Sequence, residues 1–233
     1  MIRLLRGLPS SVEFAIVVVV AFGYFVVGSV LWFVQDVRDS GPDNLFQNSI
    51  AVITAEHLSF LNLYEPIIFL LLVSFLYFRG WTIQRLGAGS LRFHDFLVGL
   101  TLAVIPILMF FGTILVVALI EPETLRAAVG NADPAGEPLA LPTVLLSSII
   151  NPIYEETFVC GYVISALSGR TRAWQAVGVS IAIRVLYHLY LGTLGAVNAM
   201  LVGLVFGLWY AWKVRLWPLV IAHAILDFIA LAP

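Results

Sequence analysis

The sequence is poor in charge, in lysine and in cysteine. Charged residues make up 11% of its 233 positions and apolar residues 61%, whereas an average soluble domain is about 25% charged and about 45–50% apolar. That balance excludes a soluble globular domain, a disordered chain and a nucleic-acid binder. Lysine occurs once, at Lys213, beside eleven arginines. The single cysteine, Cys160, can form no disulfide within the chain, and there is no CxxC zinc pattern. The alternating segments of roughly ten residues that mark a membrane β-barrel are also lacking. In their place are long continuous apolar runs, and the mean hydropathy is +1.01. Lipid offers no water to an open backbone, so such runs cross it as helices.

A span takes about 20 apolar residues. Seven runs qualify: 12–34, 61–78, 96–120, 141–167, 173–191, 194–212 and 216–232. The stretch 35–60 is too polar to span, and its second half, 48–60, is expected to form an interfacial helix, which would be the eighth. The stretch 121–140 carries Pro122, Pro134, Gly136 and Pro138 and reads as an exposed loop. The expected fold is an all-α, polytopic transmembrane helical bundle, a single domain over 1–233, with the first run retained as a span. With a cytoplasmic N-terminus, nine basic residues fall in cytoplasmic segments and two, Arg38 and Arg126, on the other side. The positive-inside rule therefore predicts a cell-membrane protein with its N-terminus in the cytoplasm and its C-terminus outside. Gly195, Ala199, Gly203 and Gly207 recur every four residues, the pattern of a close helix-packing seam. Pro106 and Pro152 are expected to kink their spans. Trp81, Trp174, Trp212 and Trp217 read as interfacial anchors, and Glu13 as a residue at the membrane edge.

Charged groups inside a span are costly and usually functional. Span 4 holds Glu155 and Glu156, span 5 holds Arg184 and His188, and span 7 holds His223 and Asp227. Residues four apart share a helix face, as in Arg184/His188 and His223/Asp227. The adjacent glutamates point about 100° apart, so one can face a cavity while the other faces a neighbouring helix. The three helices carry these groups at overlapping depths and can converge on one water-filled cavity. Two carboxylates and two imidazoles there suit acid/base work on water, with histidine donors for a developing oxyanion. They also suit a metal such as Zn²⁺ with an open position for water. Intramembrane Glu, His, Arg and Asp equally build the proton relays of transporters. Glu65, beside Pro66, either bonds a neighbouring helix or lines the cavity. Cys160 reads as a small packing residue, with a thiol nucleophile beside His188 as the alternative.

In these motifs the sequence resembles the CAAX protease and bacteriocin-processing (CPBP, or Abi) family of intramembrane proteases. That family carries Glu-Glu-x-x-x-Arg, Phe-x-x-x-His and His-x-x-x-Asn/Asp on successive helices. The matching positions are Glu155 and Glu156, followed by Gly161-Tyr162, then His188, then His223 and Asp227. The resemblance covers about 141–232, the expected catalytic core. Cys160 stands where the family has arginine, and Arg184 where it has phenylalanine. Arg184 is therefore expected to supply the missing cation and pair with Glu156, with substrate contact as its alternative role. The resemblance implies an endopeptidase acting on a membrane-associated protein or peptide. Glu155 would activate water, with His188 sharing the proton. Glu156 would assist or hold Arg184, and His223 and Asp227 would line the oxyanion site. The family's cofactor status leaves a metal-free glutamate mechanism beside a zinc site built from Glu155, His188 and His223. A non-catalytic membrane binder or immunity protein on the same scaffold, or a proton-coupled transporter, are the rival readings.

Overall fold

The computed structural model describes residues 7–40, 53–123 and 139–232. Among these the chain is helical throughout, apart from turns and one isolated bridge between Ser168 and Thr171. The helices are α1 (Ser10–Ser40), α2 (Ala55–Phe78), α3 (Phe93–Ile120), α4 (Leu141–Glu156), α5 (Val163–Leu167), α6 (Ala173–His188), α7 (Gly192–Lys213) and α8 (Trp217–Leu231). A π-helical segment, Thr157–Tyr162, joins α4 to α5, and a 3₁₀ turn, Leu189–Leu191, joins α6 to α7.

Four runs are long and apolar enough to cross a membrane: Ser10–Asp39, Ala55–Phe78, Phe93–Ile120 and Ala173–Lys213. The last is 41 residues, about 60 Å of helix and twice the ~30 Å hydrocarbon core. It doubles back at the 3₁₀ turn and at Gly192, whose φ of +69° suits a residue without a Cβ, and α6 packs along α7. Trp217–Leu231 is apolar but shorter. The seven expected spans are thus met in part. The run 141–167 is not among the four because the π segment divides it and leaves α4 only 16 residues long. α4 exposes Leu141, Leu145, Leu146 and Ile149, while Ser147, Ser148, Glu155 and Glu156 are buried. α3 likewise exposes Leu108, Phe111, Leu115 and Leu119, the outward apolar surface of an integral membrane protein.

The expected interfacial helix at 48–60 is not separate. Thr54 caps α2, its hydroxyl accepting the His57 amide at 3.1 Å, and residues 55–60 are the first turns of one continuous helix. Residues 48–52 lie outside the described residues, as does most of the expected loop, 124–138.

The π segment lies at the centre of the molecule. Phe158, Val159, Cys160 and Tyr162 are fully buried, and α1, α6 and α7 pack against this segment. Above it α2 and α8 flank α4, and α8 lies against α3. The glycine seam brings α7 onto α6. A Cβ at Gly207 would sit 2.9 Å from Val177 Cγ1, and one at Gly203 would sit 3.3 Å from Arg184 Cδ. Glycine at 203 therefore makes room for the arginine stem in the bundle's interior.

One expectation near the basic end is corrected. Glu13, in the first turn of α1, is buried at 6% exposure. Its Oε2 accepts Arg79 Nε at 2.5 Å, and its Oε1 accepts Trp81 Nε1 at 2.8 Å and the Tyr162 hydroxyl at 3.2 Å. Trp81 is consequently a core residue rather than a membrane anchor. Trp174 and Trp212 are exposed as an anchor requires, and Trp217 donates to the Gly89 carbonyl at 2.5 Å.

Candidate active site

α4, α6 and α8 bring the singled-out ionisable residues together in two tiers. The inner tier is closed to solvent. Arg184 Nη2 lies 2.6 Å from Glu156 Oε1, with side-chain exposures of 1% and 0%. The same oxygen faces His223 Nδ1 at 2.7 Å. The other ring nitrogen, Nε2, lies 3.2 Å from Asp227 Oδ1 and 4.0 Å from Glu155 Oε2. Phe206 closes this tier from α7, its ring edge-on to His223 at 6.3 Å between centroids.

The outer tier faces a cavity of about 1030 Å³ whose wall includes Glu155, His188, Asp227, Asn151, Tyr187, Tyr190 and Glu65. The cavity runs from Glu155 past Trp32 of α1 to the helix ends at Thr54, Leu191 and Leu231. Glu155 Oε2 accepts the Tyr187 hydroxyl at 2.6 Å and lies 3.5 Å from Arg184 Nη1. His188 Nδ1 lies 3.0 Å from the Arg184 carbonyl. A carbonyl only accepts, so Nδ1 carries the hydrogen and Nε2 is left as an acceptor. Asp227 Oδ2 accepts Asn151 Nδ2 at 2.9 Å.

The adjacent glutamates thus part company as their 100° offset requires. Glu155 reaches the cavity, and Glu156 is held beneath it by Arg184 and His223. Cys160 is fully buried, one helical turn past Glu156, and does not line the cavity. Its thiol faces no open space.

The possible metal ligands group differently from expectation. Among the described residues, Glu155, Glu156 and His223 offer ligand atoms within 4.8 Å of one another. His188 is outside this group because its ring is tied back to its own helix. The group fits a divalent cation poorly. A metal needs a lone pair on imidazole nitrogen, and both nitrogens of His223 face carboxylate oxygens. The Arg184 guanidinium also occupies Glu156 Oε1, leaving Oε2 as the one oxygen of that carboxylate without a partner.

Two contacts escaped the sequence reading. Tyr187 stands three residues after Arg184, and Asn151 four residues before Glu155, so each shares a helix face with a residue already singled out. Applying that spacing to uncharged polar side chains would have found both.

Residues 137–229 match the family model described as type II CAAX prenyl endopeptidase Rce1-like. The chain carries an Rce1-like domain. The match contains all three motifs, from Glu155 to Asp227, and the resemblance to the CPBP intramembrane proteases is thereby borne out. The matched stretch covers α4 to α8, while α1 to α3 lie outside it, α1 and α2 supplying one wall of the cavity. No curated protein and no solved structure gives a significant match.

Proposed function

We propose that this Rce1-like membrane protein is an intramembrane endopeptidase that cleaves a peptide bond of a membrane-associated protein or peptide with water activated by Glu155. The observation that carries the reading is the placement of Glu155. Its carboxylate borders a large cavity inside an apolar bundle, fixed by the Tyr187 hydroxyl at 2.6 Å. A water entering that cavity gives a proton to Glu155 as its oxygen attacks the scissile carbonyl. The tetrahedral intermediate then breaks its C–N bond, and the proton passes from Glu155 to the departing amine. His188, with Nε2 free to accept, shares the proton or orients the water. Glu156, Arg184 and His223 form the dry charged base that keeps Glu155 and Asp227 in place.

The reading runs without a metal: Glu156 Oε1 and both nitrogens of His223 are engaged with one another or with Asp227, while Glu155 and His188 are left to work on water. Asp227 positions His223 and Asn151, and the Asn151 amide is the neutral donor nearest the oxyanion role.

The seven-pass topology and its orientation belong to the same reading. The N-terminus of α1, the Arg79–Gly89 turn and the Ser168–Arg172 turn gather at one end of the bundle, where Arg79 reaches the Leu8 carbonyl and Arg170 the Ser10 hydroxyl. With that basic end cytoplasmic, the cavity opens on the opposite side of the cell membrane, and substrates enter from there.

Terminal proteomics of membranes from cells expressing the wild type or Glu155→Gln at equal levels tests the proposal. New protein ends that appear only with the wild type establish proteolysis and name the substrate. Identical ends from two folded, abundant proteins overturn it in favour of a binder.

A further inference from the structure

Glu65 is the one acidic side chain of the cavity wall contributed by the part of the chain outside the family match. It sits mid-way along α2, 2% exposed, and borders the cavity with Glu155 and Asp227. Glu155 and Asp227 are the other two carboxyl groups of that wall. No hydrogen bond or ion pair joins Glu65 to any described residue. Its neighbours Asn62 and Ser147 pair with each other instead, Ser147 Oγ donating to Asn62 Oδ1 at 3.1 Å. Pro66 has no amide hydrogen, which leaves the Asn62 carbonyl without its helical donor.

The described cavity wall holds no lysine or arginine. The nearest guanidinium, Arg184, lies behind it and is committed to Glu156 at 2.6 Å. A buried carboxylate without a partner is unfavourable, and three carboxylates around one cavity compound the imbalance. A cationic group on an incoming ligand corrects it, and a charge-assisted hydrogen bond to a desolvated carboxylate is among the strong ones.

We propose that Glu65 forms a cation-binding subsite within the cavity, selecting peptide substrates that carry a lysine, an arginine or a free amino-terminal ammonium group near the cleaved bond. The inference rests on the proteolytic reading for its consequence in cleavage, but binding at Glu65 does not require turnover. In it Glu65 is a specificity residue, and the cation it holds fixes the register of the peptide against Glu155.

The test uses the full chain in lipid nanodiscs and a synthetic decapeptide library in which lysine is replaced, one position at a time, by norleucine. The wild type is expected to favour lysine at one position by at least tenfold in kcat/KM. Glu65→Gln is expected to bring that ratio close to one through a higher KM for the lysine peptide. Glu65→Asp, which keeps the charge, retains the preference and serves as a second variant should Glu65→Gln not fold. A lysine preference that persists in Glu65→Gln, or no preference in the wild type, overturns the subsite.

Peptide binding to the Glu155→Gln protein separates this result from the fate of the proteolytic reading. Tighter binding of lysine peptides that disappears in Glu155→Gln/Glu65→Gln supports the subsite even if the wild type cuts nothing. Equal binding of lysine and norleucine peptides overturns it even if the wild type is an active protease.

Discussion

Arg184 and Glu156 form an ion pair between α6 and the end of α4 from which solvent is excluded on both sides, Nη2 to Oε1 being 2.6 Å. Removing one partner of a buried pair costs about 3–5 kcal/mol, because the other charge stays buried. Arg184→Phe is therefore expected to lower thermal stability in detergent by about that amount. Cys160, one turn past Glu156, marks the alternative origin for the cation. Adding Cys160→Arg to Arg184→Phe is expected to recover at least half of the loss. A double variant no more stable than the single one refutes the exchange of the arginine between the two helices.

Tyr187 donates to the Glu155 oxygen at 2.6 Å. Tyr187→Phe deletes that hydroxyl and little else. The stability change should be small, about 1 kcal/mol. Peptide turnover is expected to fall by about 100-fold, the scale on which catalytic groups respond to misplacement. Unfolding temperature and single-turnover cleavage, measured on the same preparation, check the split. Loss of stability without loss of turnover would leave Tyr187 a packing residue.

Glu13 gathers three donors, Arg79, Trp81 and Tyr162, far from the cavity. Glu13→Ala is expected to destabilise the protein by about 3–5 kcal/mol, with Glu13→Gln milder because an amide oxygen still accepts. Denaturation of the two variants in the same lipid gives the comparison. Peptide selectivity in the folded fraction should match the wild type, since the network touches none of the cavity wall.

The donor set of the candidate site argues for chemistry without a metal. Cleavage is expected to persist in 1,10-phenanthroline, and elemental analysis of the active protein is expected to find zinc well below one equivalent. Loss of activity on chelation, restored by Zn²⁺, would require His223 to turn away from Asp227 and would replace the glutamate mechanism.

Much of this site was legible because its chemistry is expensive to hide in lipid. Glu155, Glu156, Arg184, His188, His223 and Asp227 stand out against apolar surroundings, and helical spacing puts four of them on shared faces. The stripe from Gly195 to Gly207 was equally readable, and the structure adds that Gly203 accommodates Arg184. Hydropathy does not see a break within a helix. The run 141–167 reads as one continuous span, and the π segment Thr157–Tyr162 divides it just past the two glutamates. Position along a run also concealed partners. Glu13 lies near the start of a span, where a charge raises no question, and only tertiary packing brings Trp81 and Tyr162 to it. Tyr187 and Asn151 carry no charge and so drew no attention beside residues that do.

The π-helical segment Thr157–Tyr162 follows Glu156 without a break. A π turn closes its hydrogen bond one residue later than an α turn, so the segment holds one residue more than a regular helix of the same height. Removing that extra residue would let the chain run on as ordinary α-helix, with everything beyond kept at nearly the same height and direction relative to Glu155. The same deletion inside the regular turns of α4 has no surplus residue to give up, and would rotate one side of the cut by about 100° against the other. The length of this helix is thus slack at one place and strict elsewhere. A scan of single-codon deletions along 141–167 would find its tolerance at the π segment, where point substitutions meet the tightest packing.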